Sequence, residues 1–413
     1  MRKVGFMRAL LSAVALPLVF AGANAQVFVD DGVLVAADGS LTRGVDIVIG
    51  ADGSIRSGAE LSAPAGAETV TGGWVSPGLF AGFSSVGLVD ISAEAPTNDS
   101  YTEDSRTSVA NRAADAFNPK AVSIGNTRVE GITHVASVAG GSPNIFGGTG
   151  LIAHTSGEFG SVVDEDAFVF VRMGERGQGS AGGSRSAAMA DLRDALQDAE
   201  RVTENSDADF GDVLTRRDAL ALKRVLQRQM PLVITTNRAA DLLRLIELKR
   251  DYRSIDMIVV GAAEAWQVAD ELADAGIKVM IDPHDNLPSS FESLGARLDN
   301  ANILDEAGVE YAFTTATADT SHNVRVLAQH AGNAVGNGLD WSKAFAAVSA
   351  TPRSWFNIPT DTTVVWNGDP LELTSAPVAM FIDGQAQSLE SRQTALRDRY
   401  NPLRNDTRPH KYR

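Results

Sequence analysis

Between about residue 75 and residue 357, apolar runs of strand length alternate with amphipathic helical segments. No other feature of the chain restricts its fold as much. "DALALKRVLQRQ" leads into "PLVITT", "ADLLRLIELKRDY" into "IDMIVVG", "AWQVADELADAG" into "KVMIDP" and "NANILDEAG" into "EYAFTT". In each pair a helical periodicity gives way to a short, continuously apolar run, the pattern of a strand buried on both faces. Strands separated by helices pair in parallel. Roughly 280 residues of this alternation suit a (β/α)8 barrel better than an open sheet. The fold class read from the chain is therefore α/β, a TIM-like barrel over residues 76–359.

The flanks read differently. Over residues 26–75, "VFVDDGVLVAADGS" and "VDIVIGADGSIRS" alternate apolar and polar residues, and Asp-Gly pairs supply the positive φ angles of tight hairpins. Strand patterns return at "TTVVWNGDP" and "APVAMFIDGQ". Residues 26–75 and 360–390 are thus expected to form one discontinuous β-sandwich domain, with the barrel inserted into it. Residues 391–413 read as a charged, extended surface tail. The Gly/Ser-rich stretch from Gly174 to Ser184 reads as a flexible surface loop or as a lid over the barrel mouth.

At the start, Arg2, Lys3 and Arg8 precede an apolar run from Ala9 to Phe20, and Ala23-Asn24-Ala25 is a small-x-small site. This is the pattern of a cleaved secretory signal over residues 1–25, and the run is too short to span a bilayer. The reading is a periplasmic or secreted protein with no membrane span after cleavage. A net charge of −16 argues against nucleic acid as a partner, since phosphate neutralisation needs a basic stripe. The absence of cysteine excludes disulfides, thiolate nucleophiles and thiolate metal ligands.

Several segments carry a resemblance. "VTGGWVSPGLFAGFSSVGL" (Val70 to Leu88) resembles the entrance of the metal-dependent amidohydrolase superfamily, where a sandwich strand passes through Pro-Gly-Leu into the first barrel strand. "TRVEGITHVASVAGG" resembles its second-strand region, and "WNGDPLELTSAPVAMFIDGQ" its returning sandwich segment. "RAADAFNP", "EAWQVADELADAGIKVMIDPHDNLPSSFESLGARLDNANILDEAG" and "SRQTALRDRY" resemble the imidazolonepropionase-related branch found in bacterial periplasms. The resemblance implies a hydrolase of non-peptide C–N bonds that uses zinc or another divalent metal at the barrel mouth. Its ligands would be a His-x-His pair after strand 1, a Lys or Glu after strand 4, histidines after strands 5 and 6, and an Asp after strand 8.

Carried over residue by residue, the resemblance places Phe83 and Ser85 at the His-x-His positions, Thr235 at the strand 5 histidine, and Gly261 with Ala262 at the strand 6 histidine. The bridging Lys or Glu has no position in this sequence to which it can be assigned. Asp319 matches the strand 8 aspartate. Phenylalanine cannot ligate a metal, and a neutral hydroxyl is a poor zinc ligand. The resemblance thus implies a metal cofactor whose ligands this chain lacks, so no cofactor is assigned.

Six histidines remain: His134, His154, His284, His322, His330 and His410. His330 in a helix and His410 in the tail read as structural or solvated, and His134 and His154 as strand histidines satisfied by hydrogen bonds. "DPHDN" and "ADTSHN" should follow strands 7 and 8, where side chains face the mouth of such a barrel. Asp282, His284, Asp319 and His322 are therefore the candidate catalytic residues, with Asp285 beside them. They read either as a substitute metal or acid–base site or as loop caps. Three functions follow: a C–N hydrolase, a silent relative that binds a ligand or pairs with an active homologue, and a metal-independent hydrolase built on that rim. The expected partners are a small-molecule or small-peptide ligand in the mouth, and a second copy or an active homologue.

Overall fold

A computed structural model describes residues 27–103, 108–208, 210–315 and 320–400. The expected signal segment, residues 1–25, lies outside the described residues, as do Asp319 and His410. Two eight-stranded sheets organise the chain. Strands β1 (Val27–Val35), β2 (Leu41–Ile49), β3 (Ile55–Gly58), β4 (Glu68–Thr71) and β5 (Trp74–Ser76) begin the first sheet. The second follows with β6 (Leu79–Ser84), β7 (Ile132–Ser137), β8 (Phe146–His154), β9 (Val162–Arg172), β10 (Leu232–Thr236), β11 (Met257–Gly261), β12 (Lys278–Ile281) and β13 (Tyr311–Phe313). The chain then returns to the first sheet with β14 (Thr362–Trp366), β15 (Pro377–Ile382) and β16 (Gln385–Ala386). Antiparallel pairing of β14 with β5 joins the two ends of the chain in one sheet, as their strand patterns predict.

In the second sheet the strands stand in sequence order, and the edge strands β6 and β13 lie against each other, which nearly closes a barrel. Helices cover its outside and its floor. These are α1 (Val122–Arg128), α2 (Gly174–Ser180), α3 (Arg185–Arg201), α4 (Arg216–Leu226), α5 (Ala239–Asp251), α6 (Ala269–Ala275) and α7 (Asn300–Glu306), then α8 (Leu327–Gly336), α9 (Trp341–Ala347) and α10 (Ala350–Trp355) after the last strand. One strand departs from the all-parallel expectation. β8 runs antiparallel to both β7 and β9. The links on either side of it contain no helix, and antiparallel neighbours need only a turn.

Two further expectations are corrected. Gly174 to Ser180 is helical, because its first turn is held to the barrel by side-chain contacts described below. The tail is not extended over its first part: Arg392–Tyr400 forms a helix, α11, whose start is capped by the Ser391 hydroxyl accepting from the Thr394 amide.

Side-chain parity on the strands separates inside from outside. On β9, Phe168 and Phe170 pack inward with Val233, Val260 and Met280, while Val169 and Val171 pack outward against the helices. The lumen is therefore a filled apolar core. Each such side chain removed from water is worth about 1.5–3 kcal/mol. At the end of the barrel where β6 and β7 begin, Arg353 of α10 is almost fully buried. Its guanidinium donates to the carbonyls of Gly78 and Pro359 and to the hydroxyls of Thr133 and Thr362, tying the barrel floor to β14. One guanidinium nitrogen also lies 3.3 Å from His134 Nδ1. Burial, with Arg353 and His154 nearby, pushes the His134 pKa down to about 2, so the ring stays neutral. His134 and His154 thus belong to the closed floor.

Candidate active site at the barrel mouth

The opposite end of the barrel is built from the C-terminal ends of the parallel strands, where a barrel of this kind carries its chemistry. Phe83 of β6 is buried with its ring edge-on to Phe170, centroids 5.1 Å apart. Ser85 is also buried. Its amide donates to the Thr320 carbonyl and its hydroxyl lies 3.1 Å from the Thr320 hydroxyl, so it ties β6 to the segment after β13. The Thr235 hydroxyl is buried without a hydrogen-bond partner. Gly261 and Ala262 both adopt left-handed backbone, φ +99° and +49°. A Cβ on Gly261 would lie 2.6 Å from Asn237 Oδ1 and 3.1 Å from the Thr236 carbonyl, and the positive φ would strain any other residue there.

β9 holds the fourth place in the barrel, where the resemblance sets a bridging Lys or Glu. Its inward positions are Phe168, Phe170 and, by the same parity, Arg172. Arg172 is buried, donates to the carbonyls of Ser142 and Asn144 and to the Ser180 hydroxyl, and leaves Nε unpaired. Burial lowers its pKa. A buried guanidinium repels a cation placed beside it. The donor set therefore does not fit the divalent metal that the resemblance implies. Phenylalanine, serine, threonine and glycine stand at four ligand positions, and an arginine stands near the fifth. Among the described residues no group of three or more His, Asp or Glu side chains is arranged to hold a metal ion.

Of the sequence candidates, the structure brings Asp282 and His284 together just after β12. The buried Asp282 carboxylate accepts the His284 amide at 3.1 Å and pairs with His330 Nδ1 at 2.7 Å. The exposed His284 ring stacks on His330, centroids 5.1 Å apart. His322 opens the short turn Asn323–Val326 beyond β13. Asp285 is half-buried. Desolvation first, then the neighbouring Asp282 charge, push its pKa up from 3.8 to about 6, and His284 opposes the rise.

Three residues of this end escaped the sequence reading. His330 comes from α8, far along the chain, and only its helical setting was legible. Arg172 closes an ordinary-looking strand, "AFVFVRM". Glu292 is buried in the loop after β12 and accepts the Glu175 amide at 2.7 Å and the Asn237 side chain at 3.1 Å; Arg185 stands 3.5 Å away. These contacts pin the loop over a cavity of ≈ 360 Å³ at the ends of β9, β10 and β11. Glu175, Arg176, Thr235, Asn237, Asp285 and Glu292 line it. The cavity is small, and its charged lining is three carboxylates, Glu175, Asp285 and Glu292, against Arg176. It suits a compact polar ligand held by hydrogen bonds.

No protein-family model and no curated protein sequence matches the chain. Solved structures do match. An amidohydrolase from Thermotoga maritima superposes with a TM-score of 0.73 at 19% identity, over 87% of this chain and 99% of that one. Molinate hydrolase gives 0.51 at 14% identity over 89% and 95%. A putative prolidase from Bifidobacterium longum gives 0.50 at 14% identity over 88% and 94%. The chain has the fold of the amidohydrolases, a barrel beside a second sheet built from both ends. Within that fold its mouth holds an aromatic pair, a buried arginine and a carboxylate-rich cavity.

Proposed function

We propose that this chain is a catalytically silent relative of the amidohydrolases, exported to the periplasm. It binds a small molecule or small peptide in the barrel mouth, as a homo-oligomer or beside an active homologue. The Phe83–Phe170 contact carries the reading. At the position that the resemblance gives to the first metal ligand it puts packed aromatic carbon, which offers no donor atom. Arg172 supports it by placing positive charge where a bridging ligand would draw in a cation.

The test is metal content and activity together. Protein expressed with its own leader is recovered from the periplasm and purified beside a histidine-intact relative. Zn, Mn, Fe, Ni and Co are then counted by elemental mass spectrometry. The expected result is less than about a tenth of a metal per chain with the relative loaded, and no turnover of amide or cyclic amide substrates. Near-stoichiometric metal, or turnover that a chelator abolishes, overturns the proposal. The Asp282–His330 pair beside Asp285 favours one second reading, a metal-independent acid–base hydrolase. Its mark is turnover that resists chelators and disappears in Asp285→Asn.

A further inference from the structure

A second cavity, of ≈ 290 Å³, lies outside the barrel lumen between α3 and α5, against the ends of β9 and β10. Its floor is apolar: Met173, Ala188, Met189 and Leu245. Three arginines and one carboxylate, Asp241, also line it. Arg193 of α3 and Arg244 of α5 line it, and both are exposed, so their guanidinium groups are free to turn toward an occupant. Arg185, at the start of α3, also lines the cavity, but Asp241 and Glu292 already neutralise it at 3.2 and 3.5 Å. Arg244 has an ion pair with Glu247, but an exposed (i, i+3) pair of this kind is worth only a few tenths of a kcal/mol and yields to a better anion.

Two further observations point to a bound group. Thr236 continues the outward parity of Ile234 on β10, lines the cavity, is 1% exposed, and its hydroxyl has no hydrogen-bond partner. A buried hydroxyl left unpaired costs about 1–3 kcal/mol, which a ligand oxygen would recover. In addition, the seventeen-residue α3 begins at the cavity without a side-chain cap, because the Ser184 hydroxyl is turned to Ser186. Its first-turn amides and helix dipole favour a negative charge there.

We propose that the cavity between α3 and α5 is a binding site for a small monocarboxylate with a short apolar tail. The tail lies on Met173, Met189 and Leu245. The carboxylate meets Arg193 and Arg244 at the rim, with Thr236 donating from below. The volume limits the tail to a chain of about four to eight carbons or a single ring. The site lies outside the lumen and does not depend on whether the barrel is catalytic. Arg185 connects the two, since it borders this cavity and contacts the Glu292 carboxylate that pins the mouth loop.

Titration calorimetry on the full protein tests this with hexanoate, 1-hexanol and inorganic phosphate as probes, at low ionic strength. Hexanoate is expected to bind one per chain with a Kd below about 1 mM. Hexanol should bind at least about tenfold more weakly, for want of the charge-assisted bonds, and phosphate likewise, for want of a tail. Arg193→Gln with Arg244→Gln should weaken hexanoate by about tenfold or more, whereas Arg176→Gln, in the barrel mouth, should not change it. Both rim arginines are exposed, so the double variant keeps its circular dichroism and melting temperature. The proposal is overturned by absence of hexanoate binding, by equal affinity for hexanol or phosphate, or by hexanoate binding that survives the double substitution.

Discussion

Asp285 and Gly174 show how single residues set the character of the mouth. Burial beside Asp282 raises the Asp285 pKa to about 6, so the folded chain holds that proton more tightly than the unfolded chain. The stability tied to it is fully present below the unfolded value near 3.8 and is lost as pH rises through 6. Because the group is half-exposed, the effect is of order 1 kcal/mol. Asp285→Asn should therefore match the parent in melting temperature at pH 4 and exceed it at pH 7. A difference that stays flat with pH would remove the carboxylate from this role. Gly174 adopts φ +63°, and a Cβ there would overlap the Glu292 carboxylate that accepts the next amide. Gly174→Ala should cost about 2–3 kcal/mol in urea unfolding. Gly179→Ala, in the same short helix with open space around it, should be neutral or slightly stabilising. Neither effect was legible in "GERGQGS", which reads as a flexible loop until Glu292 arrives from more than a hundred residues away.

Whole elements were read more reliably than their partners. The helix-to-strand alternation fixed β10 to β13 because each strand is buried on both faces and each helix on one, which the residue pattern records directly. The reversed strand β8 was lost in the same reading. "FGGTGLIAH" is as apolar as its neighbours, and direction is decided by the missing helix between β7 and β9, not by the strand itself. The joint between the two sheets was legible only as strand patterns at the two ends of the chain. Its keystone, Arg353, sits in "ATPRSW" with no sign that its fork reaches Gly78, Thr133, Pro359 and Thr362 together. Arg353 has these neutral partners in place of a carboxylate, so geometry rather than charge holds the joint. Arg353→Lys keeps the charge and loses the fork. We expect it to destabilise the chain by about 2–3 kcal/mol, read as a lower urea midpoint at unchanged m-value, with mouth ligands unaffected. A variant as stable as the parent would show that the joint rests on β14–β5 pairing alone.

For the molecule as a whole, the question is whether the metal site that the resemblance implies is a few substitutions away from this mouth or is incompatible with it. The sequence could only count missing histidines. The structure shows what surrounds the residues at the positions that the resemblance gives to the ligands. Phe83 packs on Phe170 in a filled lumen, Ser85 ties β6 to Thr320, Gly261 holds a positive φ that strains any other residue, and Arg172 brings a buried positive charge to the fourth strand. These features support one another. Returning imidazoles at positions 83, 85 and 235 would place three donors in the mouth, yet Arg172 would still repel the ion and no strand 6 ligand would exist. The triple variant Phe83→His, Ser85→His, Thr235→His should accordingly hold less than about a tenth of a zinc per chain after gel filtration, because the imidazoles come without a carboxylate or fourth-strand ligand and face the Arg172 charge. Adding Arg172→Glu reverses the local charge, supplies a carboxylate from the fourth strand, and should raise zinc occupancy at least about tenfold over the triple variant. If the triple variant alone loads zinc to stoichiometry, the lumen is no barrier and only the ligands are missing. If the quadruple variant stays empty while folded, the obstacle is the packing around Phe170 rather than the charge of Arg172.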